Sequence, residues 1–136
     1  MNRIYFPMTC NVLVPGHIKC VKKLRKKGLV IVGLLSKEAL LGYKREIIPY
    51  KDRLYILKEL FKSDKKVIIV KQNSLNPKVN IKKYNCSHIA SGDGWEKSEL
   101  ETIDKLGIKK INIKSGAKLH SSDIYKKWMY QHYLKI

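Results

Sequence analysis

The sequence predicts an α/β fold in which helices cover both faces of a doubly wound parallel sheet. Three observations carry that expectation. Short apolar runs bounded by turn residues alternate with helical patterns, as β–α–β units require. The run Leu29-Val30-Ile31-Val32-Gly33-Leu34-Leu35 is continuously apolar, which marks a strand covered on both faces. A length of 136 residues suits one core, so 1–136 is expected to be a single domain.

Taken in order, Arg3 to Phe6 forms the first expected strand. A break of small and polar residues from Pro7 to Asn11 leads through Pro15-Gly16 into a helix. That helix sets Ile18, Val21 and Leu24 at helical spacing and stops at Gly28. Leu29 to Leu35 then pairs in parallel with the first strand. Beyond the polar stretch Lys44-Arg45-Glu46, Tyr50 to Phe61 places Leu54, Leu57 and Phe61 on one helical face, and Val67 to Val70 supplies a third strand through right-handed crossovers.

Asn73 to Asn85 is weakly patterned, and Pro77 argues against regular structure there. Cys86 to Ala90 and Lys109 to Ile113 are two more short strands, on either side of a helix from Glu96 to Leu106 that Gly107 ends. Ser121 or Ser122 caps a last helix from Tyr125 to Leu134, whose apolar contacts come from Ile124, Tyr125, Trp128 and Tyr133.

Composition narrows the class. An apolar fraction of 44% with eight Tyr and two Trp excludes a disordered chain. Lys and Arg outnumber Asp and Glu by 29 to 11, and the excess is spread over both halves, so the field draws nucleotides, nucleic acid or an anionic membrane. No stretch approaches the roughly 18 apolar residues of a membrane-spanning helix. Cys10, Cys20 and Cys86 form no C-x-x-C pair, and His88 and His132 lack partners at ligand spacing. Neither a disulfide framework nor a protein-held metal is expected, and the expected setting is the reducing cytoplasm.

Ligands of open α/β sheets bind beyond the carboxyl ends of the strands. The loop Thr9-Cys10-Asn11-Val12-Leu13-Val14-Pro15-Gly16-His17 occupies that edge. Gly16 lets backbone approach a ligand, and His17 lies in the first turn of a helix whose free amides and dipole attract phosphate.

Four stretches, in order, resemble the cytidylyltransferase branch of the nucleotidyltransferases, and glycerol-3-phosphate cytidylyltransferases in particular. The first loop stands where that family reads G-T-F-D-x-x-H-x-G-H. Thr9, Gly16 and His17 match, whereas Val14 replaces the first histidine of the HxGH motif. Tyr50-Lys51-Asp52-Arg53 is similar to Y-x-x-R, and Ser91-Gly92-Asp93-Gly94-Trp95-Glu96 to G-D-D-W-E. The segment from Lys114 to Ile124 is similar to R-T-x-G-I-S-T-T-x-I through Ser121, Ser122 and Ile124, without its arginine or glycine.

The resemblance implies a Rossmann-like nucleotidyltransferase fold and transfer of CMP from CTP to a small phosphorylated alcohol, sugar-alcohol phosphate or phosphonate, with pyrophosphate released. It implies Mg²⁺ bound with the nucleotide, and a homodimer. His17 in protonated form would stabilise the α-phosphate, and Lys44 and Arg53 would hold the acceptor phosphate. Thr9, Cys10, Gly16, Gly92, Asp93, Trp95, His120, Ser121 and Ser122 would line the nucleotide site. Lys114, Lys118 and His120 would replace the charge of the missing arginine. Adenylyl transfer on the same fold stays open, as does a catalytically degenerate basic protein that binds nucleic acid or another anionic partner.

Overall fold

The computed structural model describes residues 1–114, 116 and 120–134. Five strands form one all-parallel sheet in the order β3-β2-β1-β4-β5, with β1 Arg3–Met8, β2 Leu29–Leu35, β3 Val67–Gln72, β4 His88–Ser91 and β5 Lys109–Asn112. Helices α1 Pro15–Arg25, α2 Lys37–Leu40, α3 Tyr50–Phe61, α4 Lys78–Lys83, α5 Lys97–Leu106 and α6 Ser121–Met129 join and cover it, and a π-helical turn, Tyr130–Leu134, follows α6. The strand order reverses direction at β1, which opens a crevice at its carboxyl end.

Each residue of β2 is buried, as its unbroken apolar run requires of a strand flanked by β1 and β3 and covered on both faces. One core fills the space between the sheet and α1 and α3, around Ile4, Phe6, Val21, Leu24, Val32, Leu34 and Leu57. The other lies on the opposite face, around Tyr5, Ile31, Ile81, Ile89 and Ile103. Tyr5 sends its hydroxyl across the sheet to Gln72 Oε1 at 2.6 Å, and Asn80 Nδ2 donates to the same hydroxyl at 2.9 Å. Gly33 makes this possible: a β-carbon there would sit 1.9 Å from the Tyr5 oxygen.

The structure departs from the sequence reading in several places. β1 runs on to Met8 through Pro7, because pairing with β4 stops at Tyr5–Ile89 and the missing proline N–H costs no ladder bond on that side. Residues 78–83 are helical: Pro77 stands just before the first turn, where an N–H has no partner anyway, and Ile81 anchors the turn in the core. The single turn α2 starts at Ser36, whose hydroxyl accepts from Ala39 N–H at 3.1 Å. Neither Ser121 nor Ser122 caps α6, since His120 holds the cap position and the helix begins four residues earlier than expected. α5 ends as expected, with Gly107 in the left-handed conformation.

Candidate active site

The chain leaves β1 at Thr9-Cys10, where Cys10 adopts φ of 54°. A left-handed residue other than glycine costs on the order of 1 kcal/mol, so the surroundings must hold it. Its side chain is buried in the core, and burial pushes the thiol pKa up to about 12. Cys10 therefore packs as a protonated, unreactive group.

Arg53 fixes this loop. The guanidinium is 1% exposed and donates to Thr9 O at 2.8 Å, Leu35 O at 2.7 Å and Ile48 O at 2.8 Å, and it pairs with Glu46 at 2.5 Å. Those contacts join the β1–α1 loop, the end of β2 and the segment before α3. The expected role of Arg53 as an acceptor-phosphate ligand is thereby corrected, because its nitrogens are committed to carbonyls and Glu46 and it does not line the cleft. Asn11, 5% exposed, makes a parallel tie: Nδ2 donates to Arg45 O and Oδ1 accepts from Ile47 N–H, both at 3.0 Å.

His17 sits three residues into α1. Its Nδ1 accepts the backbone N–H of Val14 at 3.2 Å. A backbone amide always donates, so Nδ1 carries no proton and the neutral ring holds its proton on Nε2. Nε2 faces Ser121 Oγ at 3.3 Å, across the gap between the starts of α1 and α6. Burial first and the Lys44 charge second hold the His17 pKa below the ordinary histidine value. The expectation of a protonated His17 is thus corrected for the free protein, which presents a neutral Nε2–H donor. Val14 lends backbone to this arrangement and buries its side chain, so the histidine it replaces in the motif has no donor here.

Across the cleft, β4 ends at Ser91, whose hydroxyl donates to Gly94 O at 2.7 Å and accepts Asp93 N–H at 3.2 Å. The resulting turn, with Gly94 at φ of 85°, carries Gly92, Asp93 and half-buried Trp95 along one wall. Lys44 closes another side, its ammonium 5.1 Å from the Tyr43 ring centre and 5.7 Å from that of Tyr125. Tyr125 also accepts the Arg45 N–H at 2.8 Å, which ties α6 to the segment before α3.

Thr9, Cys10, Gly16, His17, Lys44, Gly92, Asp93, Trp95, His120, Ser121 and Ser122 all line one cleft of about 1000 Å³ at the carboxyl edge of the sheet. Lys114 lines it too, while Lys118 lies outside the described residues. Asn11 and Tyr125 join the expected residues along this cleft. Asn11 carried a usable signal, being the polar residue just after the first strand. Tyr125 carried none, because its partner Arg45 is distant in the chain.

A model of the family described as cytidylyltransferase-like matches residues 6–130, nearly the whole chain. The protein belongs to the cytidylyltransferase-like family. An FAD synthase of Methanohalophilus mahii is 28% identical over 115 residues, covering 84% of this chain and 79% of that protein. Among solved structures, the lipopolysaccharide core biosynthesis protein of Thermoplasma volcanium superposes with a TM-score of 0.68 at 24% identity, covering 84% of this chain and 98% of that one. A protein of unknown function from Archaeoglobus fulgidus gives 0.69 at 18% identity, with 87% and 93% covered. Both structures share the Rossmann-like α/β fold of this family member.

Proposed function

We propose that this family member transfers CMP from CTP to a small phosphorylated alcohol, sugar-alcohol phosphate or phosphonate. An acceptor phosphate oxygen attacks the α-phosphorus in line, a new P–O bond forms, the bond from the α-phosphorus to the β-bridging oxygen breaks, and pyrophosphate leaves. Such chemistry depends on positioning and charge neutralisation rather than on a protein nucleophile.

One observation carries the reading: the His17 Nε2–H and the first turn of α6 face each other 3.3 Å apart within the cleft at the switch point of the sheet. A phosphate oxygen of the nucleotide takes the place of Ser121 Oγ as acceptor for that N–H and meets the free amides at the start of α6. Lys44 supplies the cation for the acceptor phosphate, a role that Arg53 is not free to share. Asp93 and Trp95 wall the nucleoside side, and the preference for cytosine rests on the likeness of Gly92-Asp93-Gly94-Trp95-Glu96 to the family segment. Among the described residues no three His, Cys, Asp or Glu side chains gather at one metal-sized point. In this reading Mg²⁺ would be supplied with the nucleotide substrate and would add to the neutralisation of phosphate charge.

A second reading, adenylyl transfer, is favoured by the FAD synthase relative, since FAD contains an AMP unit. Pyrophosphate release measured with Mg²⁺ and each of CTP, ATP, GTP and UTP, against phosphorylated alcohols, phosphonates and FMN, separates the two. CTP-dependent release that His17→Ala abolishes supports the first, and ATP-dependent release with FMN supports the second. Absence of release and of nucleotide binding, with tight salt-sensitive binding to arbitrary DNA, would identify a basic binding protein instead.

A further inference from the structure

A second, shallow cavity of about 480 Å³ opens beside the start of α1, outside the catalytic cleft. Leu13, Val14, Pro15 and Ile18 line it, and Lys19 and Lys22 form its rim. Pro15, Lys19, Lys22 and Lys26 recur at three- and four-residue spacing on the side of the helix away from buried Cys20, Val21 and Leu24, with Ile18, half-buried against that core, at the edge of the face. Lys19, Lys22 and Lys26 are exposed, as are the adjacent Lys23 and Lys27.

Among the described residues no acidic side chain pairs with this stripe. α1 contains no acidic residue. The ion pairs among the described residues join Arg25 to Asp64, Arg53 to Glu46 and Lys62 to Glu59, and none reaches a lysine of the stripe. Like charges three and four residues apart disfavour a helix, a cost that the helix dipole offsets in part at Lys22 and Lys26 and that an external anion would relieve further.

We infer that this face docks on an anionic lipid surface, with the lysines against lipid phosphates and the Leu13–Pro15–Ile18 groove against acyl carbon. Charge complementarity selects an anionic occupant, and the apolar groove beside the charges selects lipid over nucleic acid. A phosphodiester backbone brings no apolar group to fill the groove, and the stripe has no aromatic side chain on which a base would stack. Lysine also suits a surface of mobile headgroups, because it acts as a flexible point charge, whereas arginine reads fixed bidentate geometry. Val14 lines both cavities, so the docked face adjoins the catalytic cleft.

The test is co-sedimentation of the full chain with vesicles of phosphatidylcholine alone and of phosphatidylcholine mixed with phosphatidylglycerol. Each lysine near an anionic surface contributes about fivefold to partitioning, so K19Q/K22Q/K26Q lowers binding to the mixed vesicles on the order of 100-fold. K58Q/K78Q/K82Q removes the same charge from α3 and α4 and changes binding by only a few-fold. Ile18→Ser weakens binding while leaving its salt dependence intact. Circular dichroism establishes that each variant is folded. Equal binding to neutral and mixed vesicles, or an equal loss in the two triple variants, would overturn the inference. So would absence of vesicle binding alongside an oligonucleotide affinity that falls in K19Q/K22Q/K26Q, which would assign the stripe to nucleic acid.

Discussion

The two walls of the cleft are held in different ways. On the β1–α1 side, Arg53 and Asn11 tie the loop to the end of β2 and to residues 45–48 through buried and partly buried hydrogen bonds. On the opposite side, α6 has no buried residue and reaches the rest of the protein through Ser121 to His17 and Tyr125 to Arg45 and Lys44. The first wall sets geometry, and in the proposed reaction the second would offer phosphate-binding groups on contacts that a ligand can replace. On that reading, core packing and substrate response fall to different segments of a small domain.

Breaking the first wall has the largest expected effect. Arg53→Leu strands Glu46 and leaves three carbonyls without their donor, and removal of one partner of a buried ion pair costs about 3–5 kcal/mol. Urea unfolding of the variant checks this, and a loss under about 1 kcal/mol would show that the clamp is dispensable. Gly33→Ala comes next. The added methyl meets the Tyr5 hydroxyl, so Tyr5 must move and release Gln72, at a cost of about 1–3 kcal/mol.

The second wall responds more mildly. Ser121→Ala removes a single 3.3 Å partner of His17, so stability falls by no more than about 1 kcal/mol while KM for the nucleotide rises with the acceptor KM unchanged. The smallest effect is a dependence on pH. The folded-state pKa of His17 lies below its unfolded value, so the unfolded chain takes up the proton first as pH falls. The His17 contribution to stability is complete above the ordinary histidine range near 6.5 and declines below it, through the folded value. His17→Gln flattens that slope in unfolding curves recorded across the acid range.

Much of this architecture was legible in the sequence for a physical reason. Leu29–Leu35 is apolar at every position because both of its faces are covered, and Tyr50–Phe61 repeats at helical spacing because one of its faces meets the core. α4 escaped notice because only Ile81 of its residues is buried, which leaves no apolar period to see. The grouping of His17, Ser121 and Asp93 followed from motif order, since each of these motifs lies at or near the carboxyl edge of the sheet, whereas Lys44 lies in none of the four stretches. The role of Arg53 did not, because its partners are mainly backbone carbonyls that only the folded chain brings together. The charge state of His17 was equally hidden, being set by the Val14 amide, by burial and by the Lys44 ammonium.

The central claim is that this cleft moves a nucleotidyl group, with His17 donating to the phosphate at which substitution occurs. It is tested most directly by following CTP labelled at its α-phosphorus into the acceptor. The account predicts that the label appears in a nucleoside diphosphate-linked product, and that His17→Ala slows its transfer by about 10²–10³, as loss of one pre-positioned donor does. Label transfer that proceeds equally well in His17→Ala would contradict it.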